Sequence, residues 1–81
     1  IKIWNVRSGY LVQTLNQHTA QVVSLDILPN NCFISASLNG EIFVWNITTG
    51  NILNSLNKNY LINSIEVFYS EGIIFLKSII L

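Results

Sequence analysis

Charge is scarce in this 81-residue chain: 10% of its side chains are charged and 51% are apolar. Three Lys and one Arg balance one Asp and three Glu, which leaves a formal net charge of zero. Phosphate affinity rests on a surplus of basic side chains, so nucleic acid is excluded as a partner. A polybasic membrane patch is excluded for the same reason. Neutrality with so few charges also favours association over solubility.

Methionine is absent, so the chain carries no initiator and is expected to begin inside a longer protein. Cys32 is the sole cysteine, which excludes an internal disulfide and a cysteine-based zinc cluster. Flanked by Asn31 and Phe33, it reads as a small hydrophobe entering a strand. The longest apolar stretch, 72–81, is broken by Lys77 and Ser78. It falls far short of the roughly 20 residues a spanning helix needs, so membrane insertion is not expected. No basic segment leads into an apolar core with a cleavage site, and an intracellular location, cytoplasmic or nuclear, is the expectation.

What the chain does have is Ile, Leu and Asn, at thirteen, ten and eleven residues. The Asn are scattered, and most fall where a turn would stand: Asn5, Asn30, Asn31, Asn39, Asn46, Asn51 and Asn57. Asn tolerates left-handed backbone angles and bonds its own backbone nearby, which suits those places. Between them lie eight apolar or alternating runs, at 1–6, 10–15, 22–28, 32–38, 41–47, 51–56, 60–68 and 72–78. Short runs at about ten-residue spacing predict an all-β domain. No stretch carries capped helical spacing over three turns. Asn39-Gly40 reads as a two-residue hairpin turn with positive φ at both positions. Turns of similar length elsewhere predict a meander in which each strand pairs with the next.

The chain also repeats itself. A shift of 41 residues lays Ile1, Trp4, Asn5, Gly9 and Leu15 over Ile42, Trp45, Asn46, Gly50 and Leu56. Five identities in fifteen positions compare with roughly one expected by chance. A shift of 40 continues the match, laying Val22, Ser24, Leu25, Asp26 and Ile27 over Ile62, Ser64, Ile65, Glu66 and Val67, and Ile34 over Ile74. A period of about 40–45 residues with four strands per unit is that of one propeller blade.

On these residues the chain resembles the WD-repeat β-propeller family. Trp4-Asn5 and Trp45-Asn46 stand where the family ends a strand in Trp-Asp, and Gln17-His18 stands where it has Gly-His. The run 35–46 is similar to the family's strand, tight turn and strand. The resemblance implies antiparallel four-stranded blades of an incomplete propeller. Residues 1–15 would be the outer two strands of one blade, 22–56 a complete blade, and 60–78 the inner two strands of the next. It further implies a hydrogen-bonded network of His18, Ser35, Asn39 and Trp45 that satisfies buried polar groups. Asn39 departs from the family's Asp, and an uncharged acceptor weakens such a network. Gln17 and Glu41 are further departures, and Asn59 stands where the last repeat would have its His.

The chemical readings are thin beside this. His18 has no second His, and one Asp with three Glu gives little to complete a metal or acid–base site. Trp4 and Trp45 could stack bases, but at blade positions they read as packing. Asn46-Ile47-Thr48 fits a glycosylation acceptor, yet Asn46 occupies the repeat's turn position. No phosphate loop or nucleophile with its base is visible, so no catalytic residue, metal or cofactor is expected.

The resemblance therefore implies a non-catalytic protein–protein interaction scaffold that docks partners on its rim loops. The candidate contact residues are Gln17, Thr19, Gln21, Leu38, Lys58 and Tyr60, with Leu38 at an exposed turn. Its partners would be other proteins or peptides, together with the remaining blades of the full-length chain. The alternative is a purely structural role within a larger multidomain enzyme or coat subunit whose specificity lies elsewhere. A truncated copy without independent function is a third reading. A unit lacking neighbouring blades should expose an apolar face and adhere to other copies.

Overall fold

The computed structural model describes residues 1–57 and 60–80. They form eight antiparallel strands: β1 (Lys2–Trp4), β2 (Leu11–Thr14), β3 (Val22–Leu28), β4 (Cys32–Ser37), β5 (Glu41–Asn46), β6 (Ile52–Asn57), β7 (Ile62–Ser70) and β8 (Ile73–Ile80). The all-β expectation holds, and the pairing is a meander with two breaks. Three sheets result, ordered β1-β2, β3-β4-β5-β6 and β7-β8. Among the described residues no helix is long and apolar enough to cross a membrane.

The pleat explains why the four-stranded sheet sits in the middle. Its two faces carry different apolar sets, because alternate side chains along a strand point oppositely. Phe33 and Trp45 face β1–β2, where they pack with Leu15 and the half-buried Ile1, Ile3 and Phe43. Ile34, Ala36 and Ile42 face β7–β8 and pack with Ile62 and Ile65. Each buried branched side chain contributes about 1.5–3 kcal/mol, so the two clusters hold three sheets together.

The connection between β5 and β6 is a second copy of the one between β1 and β2. Asn5 Oδ1 accepts from the Arg7 and Ser8 amides at 2.9 and 3.0 Å. Asn46 Oδ1 accepts from the Thr48 and Thr49 amides at the same two distances. Gly9 and Gly50 close the two loops with φ of 77° and 75°, and each donates its amide to the Asn carbonyl. The copies differ in one neighbour. Gln13 from β2 reaches across to donate to the Thr49 carbonyl at 3.2 Å, and its amide lies where a Gly50 Cβ would be. Nothing approaches Gly9.

Two turns depart from the sequence expectation. Gly40 has φ of 94°, but Asn39 does not share the positive φ expected of a two-residue hairpin. The loop is instead three residues long, with Gly40 N–H bonded to Ser37 O at 3.1 Å and Gly40 left-handed after the turn. The physical reason is the Asn39 side chain, whose Oδ1 accepts from Ser37 Oγ and from the Glu41 amide. That local bonding fixes Asn39 in an ordinary backbone region. The two-residue turn stands elsewhere, at Glu71 and Gly72 (φ 52° and 77°), between the paired Ser70 and Ile73. β7 accordingly runs through Tyr69 and Ser70, which the sequence reading assigned to a connection.

The longer hairpin also shifts the counterparts in β8. Ile27 pairs with Phe33, whereas Val67, forty residues on, pairs with Leu76. Leu76 is therefore the match of Phe33, Ser78 of Ser35, and Lys77 rather than Ile74 of Ile34.

Candidate functional site

The polar centre of the molecule is a chain of bonds inside the middle sheet. Ser35 on β4 is fully buried, and Trp45 on β5 lies beside it at 0% exposure. Trp45 Nε1–H donates to Ser35 Oγ at 2.8 Å. His18, from the loop before β3, brings Nε2 to 2.6 Å from the same oxygen. Its ring stacks on Phe43 with centroids 4.4 Å apart, while Trp45 meets Phe43 edge-on at 5.7 Å. These aromatic contacts exclude water from the bonds.

Asn39 does not join this chain among the described residues. Its Nδ2 donates to Thr19 Oγ1 at 3.1 Å, and its oxygen is engaged by Ser37 and Glu41. Glu41 stands at the imidazole instead, with Oε1 3.5 Å from His18 Nδ1. That separation is too long for a well-formed hydrogen bond, and Nδ1 has no other partner. The same Oε1 accepts the Thr19 amide at 2.9 Å. A Trp N–H can only donate, so Ser35 Oγ accepts from it and keeps a second lone pair and a hydrogen for His18. The Glu41 carboxylate can only accept, which favours the ring proton on Nδ1 and leaves Nε2 to accept the Ser35 hydroxyl.

Burial lowers the His18 pKa below its ordinary 6.5, and Glu41 pulls weakly the other way. Glu41 is lowered from 4.5, chiefly by the Thr19 amide. Both shifts make acid destabilising, in two windows. The neutral His18 contributes in full above pH 6.5, and its contribution falls as protons are forced on below that value. The Glu41 contribution is complete above 4.5 and declines below it. Urea midpoints are expected to hold level above about pH 7 and to fall from there to pH 5, and His18→Gln should flatten that upper window. Unchanged midpoints across the window would refute this assignment.

The expected rim residues divide by environment. Gln17, Gln21 and Tyr60 are exposed. Thr19 is exposed too, but its amide and hydroxyl are occupied by Glu41 and Asn39. Leu38 is half-buried rather than exposed, because its backbone ties three loops together. Its amide donates to Gln21 O at 2.8 Å, and its carbonyl accepts from Ile62 N at 3.1 Å. Lys58, like Asn59, lies outside the described residues.

Two side chains that the sequence reading passed over join neighbouring sheets. Ser24 Oγ accepts from the Ile65 amide at 3.2 Å, and Asp26 Oδ2 from the Val67 amide at 3.1 Å. The signal was present as the repeated pairs Ser24/Ser64 and Asp26/Glu66. Cys32 is a free thiol directed at Asn30 O. No group of three or more His, Cys, Asp or Glu side chains that could hold a metal occurs among the described residues.

A family model described as "WD domain, G-beta repeat" matches residues 9–46, which contain His18, Ser35, Glu41 and Trp45. The chain is similar to the COMPASS component SWD3 of Saccharomyces cerevisiae, with 38% identity over 58 residues. That match takes in 69% of this chain and 18% of the relative, so the chain spans about a fifth of it. The crystal structure of the computationally designed Ika8 protein overlays with a TM-score of 0.72 at 22% identity. The overlay covers 96% of this chain and 27% of Ika8, and it speaks to the fold alone.

Proposed function

Because the chain belongs to the WD-repeat family, we propose that it is a non-catalytic scaffold that binds other proteins or peptides through rim loops. In this reading β1–β2 are the outer pair of one blade, β3–β6 a whole blade, and β7–β8 the inner pair of the next. The observation that carries the proposal is the bonding around Leu38. Through it the loop ending at Gln21, the β4–β5 turn and the start of β7 become one continuous platform. Asn39 to Thr19 and Thr19 to Glu41 brace it from beneath.

Such a platform presents side chains without spending them on the fold. Gln17, Gln21 and Tyr60 are the exposed members, and Leu38 adds apolar surface at its centre. A platform with few charges selects partners by shape and hydrogen bonding more than by electrostatic steering. The relative whose name makes it a component of an assembly supports the same direction. An intracellular location is part of this proposal.

The test is affinity capture from cell extract with quantitative mass spectrometry. A Gln17→Ala/Gln21→Ala/Tyr60→Ala variant alters only exposed side chains and is expected to lose at least one bound protein by tenfold or more. Retention of every captured protein at its original level would remove the rim from the proposal.

A further inference from the structure

Of the eleven Asn, Asn39 alone is followed by glycine. Such a pair is the most open to an internal reaction, because no Cβ on the second residue hinders the approach of its amide. The Gly40 nitrogen attacks Asn39 Cγ, the Cγ–Nδ2 bond breaks, and the Gly40 amide proton leaves with Nδ2 as ammonia. Water then opens the cyclic imide at either carbonyl, giving aspartate or isoaspartate. This reaction is one reason Asn is thermolabile. We propose that Asn39-Gly40 is a deamidation site held closed by the fold. It converts only in molecules whose β4–β5 turn has opened, and isoaspartate there prevents the turn from closing again. This goes beyond partner docking and does not rest on it.

In the folded chain each group that the step needs is occupied. Gly40 is buried and its N–H donates to Ser37 O at 3.1 Å, so the proton that must leave is shielded from base. The departing nitrogen, Asn39 Nδ2, donates to Thr19 Oγ1 at 3.1 Å. Asn39 Oδ1 accepts from Ser37 Oγ and, at 3.3 Å, from the Glu41 amide. The side chain is thereby fixed between Thr19, Ser37 and Glu41 and is not free to turn onto the Gly40 nitrogen. All of these partners belong to the four-stranded sheet and to the loop that leads into it.

The two products differ in consequence. Aspartate keeps the backbone and adds one negative charge beside Glu41 in an otherwise neutral chain. Isoaspartate routes the main chain through Cβ and Cγ, which lengthens the link between the residue 39 Cα and the Gly40 nitrogen. The bond from Gly40 N–H to Ser37 O closes a tight turn and is lost when the link lengthens. Leu38 lies inside the same turn, so its ties to Gln21 O and Ile62 N–H loosen with it. The ammonia does not return, and time spent in the opened state accumulates as altered molecules.

The experiment holds the full-length chain at mildly alkaline pH, in native buffer and in parallel in urea, and follows the Asn39 peptide by mass spectrometry. Conversion is expected to be at least tenfold slower in the native sample. Thr19→Ala frees the departing nitrogen and should raise the native rate at least threefold, with the rate in urea and the slow hydrogen exchange of β4 unchanged. After return to native buffer, molecules carrying isoaspartate should exchange the Leu38 amide at least tenfold faster than unconverted ones. Equal rates in native buffer and urea overturn the proposal. So does a native rate that Thr19→Ala leaves unchanged, or a Leu38 amide that regains its protection in the isoaspartate form.

Discussion

Replacing Trp45 by alanine is expected to remove about 3–5 kcal/mol of stability, a large share of the total. Truncating a buried Trp costs about 3–5 kcal/mol, from lost transfer energy and the cavity that remains. Small domains hold only about 5–15 kcal/mol in total. Trp45 sits at the meeting point of Phe33, Phe43 and His18, so its loss also loosens the ring cluster that shields the buried bonds. Trp4→Ala provides the control. That residue is more than half exposed, and its replacement should cost no more than about 0.5 kcal/mol. Urea unfolding followed by circular dichroism distinguishes the two, and equal costs would contradict the packing.

Ser35→Ala is the second large effect. It removes a single oxygen, yet strands Trp45 Nε1–H and His18 Nε2 in a dry interior. An unsatisfied buried polar group costs about 1–3 kcal/mol, and here there are two. The effect should depend on His18. In a double-mutant cycle with His18→Phe, the coupling is expected to reach about 0.5–3 kcal/mol, since the residues share one network. A coupling near zero would mean that the short contact stores no interaction energy.

The fold was legible because its signals were local. Turn residues punctuated eight runs, and the recurrence of Trp4-Asn5 as Trp45-Asn46 marked the period. The strands form sheets of two, four and two. What escaped was decided by side chains competing for partners. Asn39 satisfied itself on Ser37, Thr19 and the Glu41 amide, which changed the turn and removed it from the imidazole. Glu41 took that place because its carboxylate also meets the Thr19 amide. Leu38 looked like an exposed tip, because pattern alone does not reveal that its carbonyl serves β7. The displaced β8 register came from a turn built on Glu71, whose positive φ a sequence reading would not favour.

The paired loops closed by Gly9 and Gly50 carry a consequence for how this molecule can diverge. Backbone geometry alone restrains Gly9, so Asn, which visits the left-handed region, is an admissible replacement there. At Gly50 a side chain would also have to push aside the Gln13 amide, the end of a flexible side chain, and break its bond to the Thr49 carbonyl. Two equivalent sites thus share one backbone demand, and a replacement at the second also gives up a bond to a neighbouring sheet.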